Sequence, residues 1–318
     1  GIGSFRVNVF RQRGACAMVI RHIKHNVPTR EELQLPAAAL QELVMEKRGL
    51  VLVVGSTGSG KSSTLSAMIN HRNQTSSGHI LTIEDPIEFM YKHGKSIVNQ
   101  REVGIDTRSY HNALVNAMRE APDVILIGEC RDRETFSAAL QYAQTGHLCL
   151  STVHANNSYY ALNRVINLFP HDARSSLQMD LAVSLKAVIS QRLVHDVNGE
   201  IVPAVELMVN TKHIQELIKT GQIDQIKDAM EQSLAPGSQT FEQALFKLFT
   251  SGRVSLEEAM ANADSPTNLH WLINNAPKAT AAPARPATPT KAGAPPAPRP
   301  SAVQDDLSSI KLNLDALG

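Results

Sequence analysis

Residues 55–62 read Gly-Ser-Thr-Gly-Ser-Gly-Lys-Ser and follow a run of branched aliphatic residues. Glycines at this density let successive backbone amides converge on one concavity, because no Cβ atom stands in the way. A helix that begins near Lys61 adds the positive end of its dipole. The spacing G-x-x-x-x-G-K-S between a strand and a helix therefore predicts a loop that binds the phosphates of a nucleotide.

Within this loop, Lys61 is expected to reach the β- and γ-phosphates, and the Ser62 hydroxyl is expected to ligate Mg²⁺. The predicted nucleotide contacts are Ser56, Thr57, Gly58, Ser59, Gly60, Lys61, Ser62 and Ser63. The alternative is a glycine-rich turn that carries a surface lysine. The strand before the loop and the helix after it disfavour that alternative.

Cleavage of a triphosphate also needs acids that support the metal and orient water. Glu129 ends the apolar run ILIGE and is predicted to hold Mg²⁺ through water, unless it only caps the next helix. Glu84 ends ILTIE, beside Asp85 and Glu88, and is predicted to position or deprotonate the attacking water. A solvated acidic loop is the alternative for this second group.

Two histidines, His147 and His154, lie in a further β-like run, HLCLSTVHA. Their odd spacing would place them on opposite faces of an ideal strand, which disfavours a shared metal. His154 comes at the carboxyl end of the run, where ligands bind in open α/β sheets, and is predicted to sense the γ-phosphate. For either histidine, the alternative is a hydrogen-bonded residue of the core or of a loop.

The elements that position these residues are short apolar strands that alternate with helices, which predicts a doubly wound α/β domain. The apolar runs are continuous, as in parallel strands buried on both faces. We predict strands at 51–55, 79–85, 123–129 and 147–155, and helices at 36–48, 107–121 and 132–144. After residue 156 the pattern becomes helical through SSLQMDLAVSLKAVISQRLV, followed by a hairpin that turns at Asn198-Gly199.

The ends of the chain differ from this central pattern. The runs FRVNVF and ACAMVIRHI predict a hairpin, which we expect to belong to a larger sheet whose earlier strands are missing. Residues 276–302 are rich in alanine and proline without periodicity and are predicted to be a disordered linker. Residues 303–318 space their apolar residues as a short amphipathic helix does, although a frayed tail with chance spacing is equally compatible.

Composition excludes several classes of protein. The 318 residues carry a formal net charge of +1, and no apolar run is long enough to span a bilayer, so neither a basic nucleic-acid field nor membrane insertion is expected. The three cysteines lie far apart, which disfavours zinc and predicts a reduced, cytoplasmic protein.

Four segments, GSTGSGKS, ILTIEDPIEF, PDVILIGECRDRET and GHLCLSTVHANNS, resemble the Walker A, Asp box, Walker B and His box of secretion-superfamily ATPases. Within that group the chain resembles the type IV pilus twitching-motility (retraction) ATPases of the PilT/PilU type, from its first residues to about residue 275. The segments GECRDRET, STVHANNS and HIQELIKTGQ depart from the usual retraction-motor motifs and favour the PilU-like branch.

The resemblance implies a RecA-like P-loop ATPase domain at 49–275, with a helical C-terminal region. It also implies that residues 1–28 are the end of a PAS-like α+β domain, joined through a linker and helix at 29–48. Arginines of that domain reach the phosphates in such families, and Arg6 and Arg21 occupy matching positions, with Arg13 as a third candidate. From the residues alone, a solvated basic face is the alternative.

Three functions follow as hypotheses. The first is a homo-hexameric, or mixed, motor that hydrolyses ATP with Mg²⁺, works with an inner-membrane pilus platform protein and powers retraction from the cytoplasmic side. The second is a nucleotide-dependent accessory subunit of a paralogous retraction ATPase. The third, a related secretion or nucleic-acid-translocating ATPase, has the least support because no basic strip interleaved with aromatic residues is present.

Overall fold

The computed structural model describes residues 4–23 and 35–275, together with the single residues 27 and 33. It begins with an antiparallel hairpin of β1 (Ser4–Gln12) and β2 (Ala15–Ile23). The two-residue turn is Arg13-Gly14, with φ of +47° and +81°. Positive φ at both turn residues matches the right-handed twist of paired strands. The hairpin predicted from the sequence is confirmed.

Both faces of this hairpin are exposed. Because side chains alternate along a strand, Val7 and Ile20 lie on one face, and Arg6 lies directly opposite Arg21 on the other. Cys16, beside the turn, is also exposed. Among the described residues, β1 and β2 form a sheet of their own, separate from the main sheet.

The main sheet is built from strands that are almost all parallel. Its members are β3 (Gly49–Val54), β4 (Gly78–Glu84), β5 (Ser96–Glu102), β6 (Val124–Ile127), β7 (Leu148–Val153), β8 (Leu185–His195) and β9 (Ile201–Val209). Their order in the described sheet is β5-β4-β6-β7-β3-β8-β9, and β9 pairs antiparallel with β8 at one edge. The four strands predicted from continuous apolar runs are therefore β3, β4, β6 and β7.

Helices connect and cover these strands. They are α1 (Ala37–Val44), α2 (Lys61–Thr75), α3 (Tyr110–Ala117), α4 (Arg133–Gln144), α5 (Ser158–Asn167), α6 (Arg174–Ser184), α7 (Lys212–Thr220), α8 (Ile226–Glu231), α9 (Phe241–Thr250), α10 (Leu256–Ala261) and α11 (Pro266–Asn275). No helix in the described part of the chain is both long and apolar enough to cross a membrane.

Alternate residues of the central strands enter different hydrophobic cores. Leu52 and Val54 of β3 pack with α3 to α8 on one face of the sheet, whereas Val51 and Val53 pack with α1 and α2 on the other. All six residues of β3 are buried, as expected for a parallel strand covered on both faces. A further core joins the outer ends of β8 and β9 to α9, α10 and α11.

One element differs from its prediction. The helix predicted over SSLQMDLAVSLKAVISQRLV is wrong in its second half. There α6 ends at Ser184, and the chain continues directly as the strand β8. The hairpin that turns at Asn198-Gly199 is confirmed, but its first strand already starts at Leu185. The position between β3 and β9 favours a strand over a helix for β8, since four of its first five side chains are buried there.

Other predictions lie outside the described residues or were not made. The linker at 276–302 and the helix at 303–318 lie outside them, as does most of the segment from residue 24 to residue 34. The strand β5 was not predicted. It alternates buried Ser96 and Val98 with exposed Ile97 and Asn99, as suits the edge of the sheet.

Candidate nucleotide site

The predicted site residues follow neighbouring strands. In the sheet order β4-β6-β7-β3, the strands are parallel, so their carboxyl ends meet at one edge. Glu84 ends β4, Glu129 follows β6 by two residues, His154 follows β7 directly, and the loop 55–60 follows β3. Topology therefore gathers at one edge four features that are spread over a hundred residues of sequence.

Lys61 is the first residue of α2, and its side chain lies in the concavity of the preceding loop. It is 9% exposed, and its Nζ donates hydrogen bonds of 3.0 Å to the Gly55 carbonyl and 2.7 Å to the Ser56 carbonyl. Burial lowers the pKa of Lys61, while the carboxylates of Glu129 and Glu88 act in the opposite direction. A buried ammonium of this kind gains from an anionic partner.

The loop fits a phosphate chain. Gly60 has φ of +88°, a left-handed conformation that suits glycine, and an added Cβ there would lie 2.7 Å from Gln191 Nε2. An added Cβ on Gly58 meets nothing within 4 Å, so this side of the loop is open. Ser59 Oγ is buried and has no hydrogen-bond partner among the described residues. Its hydroxyl is a donor available to a phosphate oxygen.

Glu84 is half-buried in a polar niche at the end of β4. Thr82 Oγ1 donates a hydrogen bond of 2.7 Å to Glu84 Oε1, and Gln100 Nε2 lies 3.4 Å from the same oxygen. Burial raises the pKa of Glu84 from 4.5 to about 7, against the opposing effect of these hydrogen bonds. A carboxylate with a pKa near neutrality can take a proton at physiological pH, which suits a general base.

Glu129 and His154, predicted separately, are in contact. His154 Nε2 lies 3.2 Å from Glu129 Oε1, and Arg131 donates to the other carboxylate oxygen at 2.7 Å. Glu129 is 14% exposed, and Arg131 is 67% exposed. Glu129 and His154 were each predicted as site residues from the sequence. Their direct contact, and the ion pair of Glu129 with Arg131, were not predicted.

No group of three or more His, Cys, Asp or Glu side chains that could hold a metal occurs among the described residues. Magnesium usually needs only one or two protein oxygens, because phosphates and water complete its octahedron. The exposed hydroxyl of Ser62 and the carboxylate of Glu129 offer oxygen ligands of the right kind.

Gln191 is a residue at the loop that sequence reasoning missed. It lies on β8, beside β3, is 4% exposed, and accepts a hydrogen bond of 2.6 Å from Thr64 Oγ1 of α2. The backbone carbonyl oxygen of Gln191 would lie 2.6 Å from a Cβ added to Gly55. No motif marks this glutamine, and the helix predicted over the second half of 175–194 hid its position on a strand.

The hairpin arginines lie apart from this assembly. Arg6 and Arg21 are directly paired across β1 and β2, and Arg13 is in the turn. Within the described part of the chain, no hydrogen bond or ion pair joins Arg6 or Arg21 to the loop 55–62. Two arginines side by side repel each other unless an anion lies between them, so their pairing is compatible with phosphate binding.

Comparisons with known proteins agree with this geometry. The family model described as Type II/IV secretion system protein matches residues 4–202. The "Type IV pilus ATPase PilU" of Pseudomonas aeruginosa is 50% identical over 274 residues, which cover 86% of this chain and 72% of the relative. The "Type IV pilus retractation ATPase PilT" of the same organism is 42% identical, over 84% of this chain and 78% of the relative.

Among solved structures, the crystal structure of the pilus retraction motor PilT with bound ADP is similar, with a TM-score of 0.80 and 44% identity. The match covers 85% of this chain and 77% of that one. The Legionella pneumophila ATPase DotB has a TM-score of 0.72 at 28% identity, over 81% of this chain and 73% of the other.

Proposed function

This chain belongs to the Type II/IV secretion system protein family, and within it the chain is similar to type IV pilus ATPases. We propose that it hydrolyses ATP to drive or assist pilus retraction. One observation carries the proposal. A single edge of the sheet carries Lys61 in its glycine-rich loop, Glu84, a half-buried acid with a pKa of about 7, and the paired Glu129 and His154.

The chemistry follows from the groups at that edge. The loop 55–60 and the amino end of α2 hold the phosphates, with Ser59 Oγ as an additional donor. Lys61 leaves its two backbone acceptors and pairs with the phosphate chain, which compensates its burial. Glu84, once ionised, orients the attacking water and accepts its proton.

Positive charge must also neutralise the transferring phosphoryl group. Ser62 and Glu129 would hold Mg²⁺, which would supply part of that charge. We assign a further part to Arg6 and Arg21, which the paired register of the hairpin places side by side. We assign to His154, which contacts Glu129, a response to the γ-phosphate.

The assembled motor is proposed to be a hexamer that acts at the cytoplasmic side of the inner membrane, on the platform protein of the pilus machine. The support is the resemblance to named pilus ATPases over more than two thirds of their length. Rotation of the hairpin-bearing domain against the ATPase domain would convert hydrolysis into movement.

A second candidate is an accessory role beside a paralogous retraction ATPase. It is favoured by the higher identity to PilU, 50%, than to PilT, 42%. In that case the chain would enter a mixed assembly and contribute part of the ATP turnover.

ATP turnover by the full chain tests the proposed activity. Lys61→Ala removes the only side chain whose ammonium donates into the loop carbonyls in the described residues, and turnover is expected to fall by at least a hundredfold. Phosphate release at saturating ATP and millimolar Mg²⁺ measures this loss.

Lys47→Ala is the matched control, since Lys47 is an exposed lysine that precedes β3. Its turnover should equal that of the wild type. Absence of turnover in the wild type, or equal turnover in both lysine variants, would contradict the proposal.

A further inference from the structure

Tyr110 places a hydroxyl group beside the ends of β4 and β6, the strands that lead to the two acids of the site. It is the first residue of α3, and its side chain packs against the hydrophobic core that contains Leu52 and Val54 of β3. A Cβ added to Gly128, the residue before Glu129, would lie 3.0 Å from the Tyr110 hydroxyl and 3.3 Å from the Glu84 Cα. The hydroxyl therefore lies next to the carboxyl ends of β4 and β6.

The surroundings of this hydroxyl are mainly anionic. Burial raises the pKa of Tyr110, and the charges of Asp85, Glu129 and Glu84 raise it further, against the opposing effect of Arg131. The phenol consequently stays protonated at neutral pH and remains a hydrogen-bond donor. Among the described residues, no group accepts a hydrogen bond from it, so its proton is available to the acids beside it or to water between them.

We propose that Tyr110 is a positioning residue for ATP hydrolysis, whose hydroxyl donates through bound water to the acidic group of Glu84, Asp85 and Glu129 and fixes the orientation of these carboxylates. This inference rests on the proposed ATPase function. A neutral donor suits the position, because it stabilises ionised carboxylates without adding a charge that would compete with Mg²⁺.

The alternative is that Tyr110 only fills space, as a phenylalanine would. Tyr142 of α4 allows the two roles to be separated. Its hydroxyl donates to the carbonyl of Leu114, in the same helix α3, four residues after Tyr110. Removal of that hydroxyl is expected to weaken the packing of α4 against α3 and to leave the Tyr110 hydroxyl in place.

The test compares Tyr110→Phe and Tyr142→Phe in the full chain. Tyr110→Phe keeps the ring and removes one oxygen. We expect kcat for ATP to fall about tenfold or more, the effect of a lost water-mediated hydrogen bond to a charged group, while KM stays within about twofold. KM should hold because the loop after β3, and not Tyr110, contacts the phosphates.

Tyr142→Phe should lower the unfolding temperature and keep kcat within about twofold of the wild type. A normal kcat in Tyr110→Phe, an equal loss of kcat in both variants, or a raised KM with normal kcat would each overturn the role of Tyr110. In all three cases the wild-type turnover, abolished by Lys61→Ala, would still stand. A wild type without turnover would overturn the proposed ATPase and this role together.

Discussion

The carboxyl group of Glu84 lies in a niche where burial opposes its ionised form. Its pKa in the folded chain is raised from 4.5 to about 7. Below about pH 4.5 the group is neutral in both the folded and the unfolded chain. As pH rises from 4.5 to 7, the unfolded chain releases this proton first, so folding stability is lost, and above 7 the loss reaches at most about 3 kcal/mol.

Replacing this acid should separate activity from stability. In Glu84→Gln, ATP turnover is expected to fall at least a hundredfold, because the general base is absent. The unliganded variant should be more stable than the wild type at pH 8 by about 1–3 kcal/mol, and equally stable near pH 4.5. Turnover assays and urea unfolding at the two pH values measure both effects.

Glu88→Gln provides the control for this experiment, since it removes an exposed acid from the same loop. It should retain turnover within a few-fold and change stability by less than about 0.5 kcal/mol. If Glu84→Gln were fully active, or if its stability ran parallel to that of the wild type at all pH values, the assigned role of Glu84 would be wrong.

The side chains that sequence reasoning located share one property. Lys61, Glu84 and Glu129 each follow a continuous apolar run, so the polar residue at the end of a buried strand is visible without a structure. Tyr110 and Gln191 lack this signal. The first fits the apolar face of a helix, and the second lies inside a run with helical periodicity. Only tertiary packing brings them to the site.

Among the elements, β8 shows why strand prediction fails locally. Leu177 and Leu181 on α6 continue with helical spacing into the strand, and no glycine or proline separates the two elements. The central place beside β3 decides the conformation, because it offers hydrogen-bond partners and buried surface on both sides. The alternating edge strand β5 was missed for the opposite reason, since its few apolar residues give a weak signal.

Arg192 of β8 adds polar contacts between the sheet and the C-terminal helices to the hydrophobic core that they share. Its guanidinium forms an ion pair with Asp264, donates to the Asn262 carbonyl at 2.6 Å, and lies 4.0 Å from the centre of the Phe241 ring. It also lies 3.3 Å from the carbonyl of Asn156, in the loop that follows β7. One side chain thus connects the His154 loop with α9 and the α10–α11 connection.

Arg192→Met is expected to destabilise the chain by about 3 kcal/mol, because it leaves Asp264 largely buried without its cation. Urea unfolding measures the loss, and hydrogen exchange should increase selectively over residues 241–275. The double variant with Asp264→Asn should recover part of the loss.

Lys219→Met is the comparison, since it breaks an exposed ion pair with Glu216 and should cost less than about 1 kcal/mol. Equal losses in the two single variants, or no recovery in the double variant, would argue against Arg192 as a link between the sheet and the C-terminal helices.

For the whole molecule, the predicted α/β class is confirmed, together with membership of a family of ATPases. The domain boundaries at residues 28, 48, 275 and 302 remain predictions. Hydrophobic periodicity describes each element separately, so it gives the layers of the fold but not the contact between Glu129 and His154.

An autonomous motor and an accessory subunit can be separated by mixing. If the chain is an autonomous motor, it should hydrolyse ATP alone, and Lys61→Ala should abolish that turnover. The Lys61→Ala chain is then mixed with the paralogous retraction ATPase. If this inactive chain still increases the ATP turnover of the mixture, it has an accessory role. The reciprocal mixture, with the loop lysine replaced only in the paralogue, is the control. Turnover that is simply additive in every mixture would contradict a mixed assembly.

The distribution of thiols has a practical consequence. Burial raises the pKa of Cys130 to about 12 and that of Cys149 well above its ordinary value, whereas Cys16 is exposed at the tip of the β1–β2 hairpin. Thiolates react with maleimides, and buried thiols are inert. A fluorophore would therefore attach to the hairpin alone, without engineered cysteines. Energy transfer between that dye and a fluorescent nucleotide would then follow the distance from the hairpin to the nucleotide in real time.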